Sequence, residues 1–190
     1  MTEKLKEELR KAQEVLKNGG VILYPTDTIW GLGCDATNEE AVKRIYEIKQ
    51  RVDNKSMLVL LDDVGKIASY ADVPDIAFQL VEVTDKPLTI IYPGAKGLAQ
   101  NLIGEDKTIG IRITEEEFSK SLIYRLHRPL VSTSANISGQ PSPNCFAEIS
   151  EDIKNAVDHI VDYRQNETKN PPPSSIIKLG INGEINIIRP

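Results

Sequence analysis

Short apolar runs punctuate this chain: VILY (21–24), MLVLL (57–61), LTIIY (88–92), TIGIRI (108–113), LVSTS (130–134) and SIIKL (175–179). MLVLL is apolar at consecutive positions, the pattern of a strand covered on both faces. Stretches with helical spacing lie between the runs. Leu5, Leu9, Ala12 and Leu16 fall at i, i+4, i+7 and i+11, one stripe on a first helix that Gly19-Gly20 should end. A second helix carries Ala41, Val42, Ile45, Tyr46 and Ile48 on one side, and Thr37 with Glu40 fits a capping box at its start. PDIAFQLVEV, EEEFSKSLIYRLH and a helix from about Phe146 to Val157 continue the alternation, which is an α/β pattern. Near the end, Asn182-Gly183 separates two β-rich runs and predicts an antiparallel hairpin with a tight turn.

A chain of 190 residues suits one domain, residues 1–190, with a sizeable core. No apolar run approaches the roughly 20 residues of a membrane span, and MTEKLKEELRKAQEVL resembles no signal or transit segment, so the expectation is a soluble cytoplasmic protein. Cys34 and Cys145 are far apart and lack a C-x-x-C partner, which fits packed, reduced thiols better than zinc or disulfide. A formal net charge of −5 gives no global attraction to nucleic acid and favours a small anionic substrate bound in a local basic pocket.

Four stretches carry candidate chemistry. Lys49 and Arg51 stand one residue apart at a helix exit, with Lys55 before the next strand; they are either favourable terminal charges or the walls of a phosphate site. PTDTIWGLG offers Thr26, Asp27 and Thr28 after a buried strand, where open α/β sheets bind ligands, although an ordinary turn has the same composition; Trp30 is expected to pack in the core. LVSTSANISGQPSP supplies Ser132, Ser134, Asn136 and Ser142, good cradles for phosphate or carboxylate oxygens, or simply a polar loop. Arg112 within TIGIRI must find a partner or leave the sheet. GLG is too short for a dinucleotide fingerprint, no P-loop motif occurs, and His127 and His159 make no triad. The runs EEE (115–117) and NEE (38–40) read as solvated helix starts, and YRQNETKNPPPSS (163–175) as a loop over a site or a surface connection.

Taken together and in order, YPTDTIWGLGCDATNEEAVKRIYEIKQR, KSMLVLL, GIRI, STSAN followed by SGQPSP, Ser174-Ser175 and the final IIRP resemble the YrdC-like family of threonylcarbamoyl-AMP synthases over nearly the whole chain. The resemblance implies a twisted mixed sheet with flanking helices around a positively charged cavity. It also implies synthesis of threonylcarbamoyl-AMP from L-threonine, bicarbonate and ATP with Mg²⁺, for tRNA modification by a downstream threonylcarbamoyl transferase complex. By position it puts Thr28, Arg112, Ser132 and Ser174 at threonine. Lys49, Arg51, Lys55, Thr108, Ser134, Asn136, Ser142 and Arg189 fall at ATP, with Lys49 and Arg51 central to catalysis. The chain departs from the family pattern at Trp30 for tyrosine, Val52 and Ser56 for proline, and Ser175 for threonine. Two competing functions are an RNA-binding module, which the acidic charge and lack of interleaved basic and aromatic residues oppose, and a paralogue that adenylates another substrate.

Overall fold

The leucine stripe forms α1 (Glu3–Lys17), capped by Thr2, whose hydroxyl accepts from Leu5 N. The chain reverses through Gly19 at φ +77° into β1 (Ile22–Tyr24). A second short strand, β2 (Gly31–Gly33), returns antiparallel to it. There follow α2 (Glu39–Ile48), β3 (Leu58–Leu61), α3 (Ile76–Glu82), β4 (Leu88–Tyr92), β5 (Ile109–Ile113), α4 (Glu117–Leu126), β6 (Leu130–Ser134), α5 (Glu151–Ala156), β7 (His159–Ile160), β8 (Ser175–Leu179) and β9 (Ile185–Arg189). This computed structural model describes residues 1–50, 57–168 and 173–190. Among them, no helix is long and apolar enough to cross a membrane.

The expected elements are present, with local corrections. Asn38, not Thr37, caps α2, its amide oxygen accepting from Ala41 N; the Thr37 hydroxyl instead donates to Asp35 Oδ1. The helix expected over 146–157 is split: a single 3₁₀ turn spans Phe146–Glu148, and Ser150 then caps α5. In the β8–β9 turn only Gly183 takes positive φ, +83°, and the closing bonds run from Gly180 N to Glu184 O and from Gly183 N to Gly180 O. The turn is therefore longer than a two-residue loop with both residues left-handed. Glu116 is buried rather than solvated, accepting from Ser119 N as the cap of α4.

Among the described residues, nine strands run in the order β7-β1-β2-β6-β3-β5-β4-β8-β9, mixing parallel and antiparallel pairs. Residues opposite one another across a ladder share a face, so the register sorts the sheet. One face carries Leu23, Leu32, Val131, Val59, Leu61, Ile111, Ile90 and Ile177, all buried with α2, α3 and α5 in a large apolar core. The opposite face begins the same way: Ile22, Tyr24, Leu130 and Leu60 pack under α1 and α4 with Leu5, Leu9, Phe118 and Leu122. Each such side chain contributes about 1.5–3 kcal/mol when fully removed from water. Further along these strands the same face changes character and presents Ser132, Ser134, Arg112, Thr89 and, from β9, Arg189. α1 and α4 cover one half of the face; the other half is roofed by turns.

Candidate active site

That second half lines a cavity of about 560 Å³. Its strand residues, Gly31, Leu58, Arg112, Ser132, Ser134, Ile176 and Arg189, all belong to the half-covered face, joined by Thr133 beside them on β6. Ser174 enters just before β8; Thr28 and Trp30 close one side and Ser142 to Asn144 another. The sequence brings these groups together because β6, β3, β5, β4, β8 and β9 are lateral neighbours, although Arg112 and Arg189 are far apart along the chain.

Arg112 is 3% exposed and sits opposite Leu60 and Thr89, so its backbone is fixed on both sides. Its Nη2 lies 2.9 Å from Asp27 Oδ1, an ion-pair distance, but without hydrogen-bond alignment: Asp27 Oδ1 and Arg112 Nε are both buried with no hydrogen-bond partner. Arg189 Nε donates to Ser174 O at 2.8 Å and its Nη2 reaches Ser174 Oγ at 3.4 Å, while Ser174 Oγ lies 2.9 Å from Thr89 Oγ1. Burial, and then the Arg112 charge, push the Arg189 guanidinium below its ordinary pKa. Two cations lining one hollow repel each other, and an anion between them would relieve that repulsion.

The turn after β1 is tightly bonded. Thr26 Oγ1 donates to Ile29 O at 2.7 Å and accepts from Thr28 N at 3.0 Å. With its one proton committed, the 3.1 Å contact between the two hydroxyls has Thr28 as donor, which leaves Thr28 Oγ1 lone pairs for a ligand. Trp30 does pack, its ring centroid 4.8 Å from that of Phe146, yet it also lines the cavity.

Lys49 does not line that cavity. It is 3% exposed, and its ammonium donates to Ser134 O at 2.6 Å and Asn136 O at 2.7 Å, while Lys49 O accepts from Ser138 N. It pins the backbone of the STSAN loop rather than lining the cavity. Asn136 likewise lies behind the lining: Nδ2 donates to Ile137 O and Gln140 O, and Oδ1 is buried without a hydrogen-bond partner. Thr108 does not line the cavity. Its hydroxyl donates to Asp106 Oδ1, and four residues of extended chain, about 13 Å, separate it from Arg112 at the other end of β5. Arg51 and Lys55, like Val52 and Ser56, lie outside the described residues.

Sequence reasoning misses Thr89, a polar residue within LTIIY just as Arg112 is within TIGIRI, and the apolar wall of Leu58 and Ile176. It also misses β2, whose glycines are forced by close approach: a Cβ on Gly33 would come within 2.6 Å of the Tyr24 ring, and one on Gly31 within 3.2 Å of Thr133 O.

Fold and cavity define an α/β protein with a hollow lined by two arginines and several hydroxyls, set into the half-covered face of a mixed sheet. The Sua5/YciO/YrdC family model, described as "Telomere recombination", matches residues 14–190, and the chain belongs to that family. It is 37% identical over 178 residues to a putative threonylcarbamoyl-AMP synthase of Methanocaldococcus jannaschii, covering 91% of this chain and 83% of that one. It is 35% identical over 174 residues to the threonylcarbamoyl-AMP synthase of Pseudoalteromonas translucida, covering 90% and 91% respectively. The fold superposes on the structure of P. abyssi Sua5 complexed with L-threonine with a TM-score of 0.84, at 30% identity and 94% coverage of this chain. The chain spans about half the length of that Sua5, 52%.

Proposed function

We propose that this protein makes threonylcarbamoyl-AMP from L-threonine, bicarbonate and ATP, releasing pyrophosphate, and that the product serves tRNA modification by a separate transferase complex. The observation that carries the reading is the convergence of Arg112, Arg189, Ser174 and Thr28 on one cavity of about 560 Å³, in a chain alike over nine-tenths of its length to proteins named for this activity. The volume lies within the range of small-ligand sites.

The roles follow from chemistry. Arg112 with Ser174 suits the amino-acid carboxylate, and the free lone pairs of Thr28 Oγ1 accept from the amine or side-chain hydroxyl. Bicarbonate takes up a proton and loses water to give carbon dioxide; the amine adds to its carbon, loses a proton and forms a carbamate. A carbamate oxygen then attacks the α-phosphorus of ATP; the bond to the bridging oxygen breaks and pyrophosphate departs with the electron pair. Three anionic groups must be held together for this step, so fixed cations and hydroxyl dipoles supply positioning and charge stabilisation without a covalent nucleophile. Lys49 serves by holding the carbonyls of Ser134 and Asn136, which sets the loop bearing Ser134 and leads toward Ser142. Arg51 and Lys55 retain a proposed phosphate role on sequence grounds.

Among the described residues the cavity lining contains no carboxylate, and no cluster of three metal-ligating side chains occurs. The donor set therefore does not fit a protein-held Mg²⁺, and magnesium belongs to the reading as part of the nucleotide substrate. Pyrophosphate release from ATP, measured with and without each co-substrate, tests the proposal: it must require both L-threonine and bicarbonate. Equal release without threonine would transfer the site to another adenylation.

A further inference from the structure

Asp27 takes no part in the cavity lining; it borders a separate hollow of about 220 Å³ with Ile111, Ile113, Tyr92 and Lys86. Its Oδ1 lies 2.9 Å from Arg112 Nη2, in ion-pair contact with a residue that does line the cavity. We propose that Asp27 is a positioning residue that fixes the Arg112 guanidinium at the amino-acid end of the cavity, a role that rests on the reading given above.

Strand pairing with Leu60 and Thr89 sets the Arg112 backbone but not the torsions of its side chain. The guanidinium faces a second cation, Arg189, across the same cavity, and that repulsion alone would drive it away. Among the described residues, Asp27 is the carboxylate within ion-pair distance of Arg112. Its own placement is firm, because the turn around it is closed by Thr26 Oγ1 on Ile29 O and Thr28 N, and Arg164 Nη1 donates to Thr26 O at 3.2 Å. Ser119 Oγ adds a bond to Pro25 O. The contact engages one terminal nitrogen and leaves Nε without a hydrogen-bond partner. A guanidinium steered by that contact and only partly satisfied is ready to accept a second carboxylate, which favours an amino acid bearing a single free α-carboxylate over a dicarboxylic one that would place another negative charge beside Asp27.

The test is steady-state kinetics of Asp27→Asn and Asp27→Glu, joined to NMR of the Arg112 Nε–H group. A guanidinium displaced by about 1 Å costs on the order of 10²-fold. Asp27→Asn should therefore raise the threonine KM by about that factor while the ATP KM stays near wild type, and Asp27→Glu should recover part of the loss. A merely structural aspartate would lower the active fraction, hence kcat, and leave the threonine KM alone; that result overturns the proposal. Rotation of the wild-type Arg112 guanidinium should be slow even without substrate, and free rotation also overturns it, whether or not Asp27→Asn folds. Should the wild-type enzyme ignore threonine altogether, the functional reading fails, and the NMR measurement still decides the role of Asp27.

Discussion

Two halves of one sheet face teach opposite lessons. Under α1 and α4, β3 and β6 present Leu60 and Leu130, both fully buried; a short step away on the same face, β5 presents Arg112 and β6 itself presents Ser132. Backbone geometry and pairing are continuous across the change. What differs is the cover: helices seal one half and turns roof the other, so one half gains from excluding water and the other keeps polar groups in a defined hollow. Stability should reside in the first and specificity in the second.

Arg112→Ala should break that division most severely. It removes the proposed carboxylate clamp and strands Asp27, a loss on the order of 3–5 kcal/mol when one member of a buried pair is deleted. Urea unfolding and threonine-dependent pyrophosphate release would both respond. Leu60→Ala is the counterpart, expected to cost about 2–5 kcal/mol of stability while leaving the KM of the folded fraction unchanged. A large rise in KM in this variant would show that the two halves are coupled. Lys49→Ala removes two charge-assisted bonds to the 134–136 backbone, each worth about 1.5–3 kcal/mol. Limited proteolysis should show the loop loosened, with kcat/KM lowered for ATP more than for threonine.

The smallest effect is a pH signature with opposite signs in the two halves. At Glu8, on α1, burial opposes ionisation, but the Asp162 N–H, Lys11 and His159 outweigh it and hold the carboxyl below its ordinary 4.5. Its stabilising contribution is complete above that value and is lost as pH falls through the lowered folded pKa. Burial raises Asp27 above its ordinary 3.8 despite the opposing influence of Arg112, so its ionised form is penalised in the fold and its contribution becomes more favourable as pH falls through the raised value. Acid titration of stability should therefore flatten in Glu8→Gln and steepen in Asp27→Asn; a tenfold difference in acidity between folded and unfolded chains is worth about 1.4 kcal/mol. The same slope in both variants would erase the contrast.

Individual residues show where legibility stops. Arg112, Ser132, Ser134, Ser142, Ser174, Thr28 and Arg189 are legible as candidates, and the fold brings them onto one cavity. Thr108 and Arg112 share a motif, but β5 carries them apart and only Arg112 lines the cavity. Lys49 illustrates a different limit: a cation at a helix exit announces a partner but not which one, and here backbone carbonyls claim it. β2 reads as a turn because GLG carries no β-branched residue, and its glycines make sense only when β1 and β6 stand on either side.

By itself the sequence determined the elements, through apolar runs and helical stripes whose period needs no distant partner, and the chemistry available, through hydroxyls and arginines in otherwise apolar strands. Tertiary structure alone decided the lateral order of the strands, and with it which polar residues share a face, which half α1 and α4 cover, and that Asp27 faces Arg112. The reason is physical: periodicity is local, whereas the neighbour of a strand is chosen by how all the apolar faces can be buried at once.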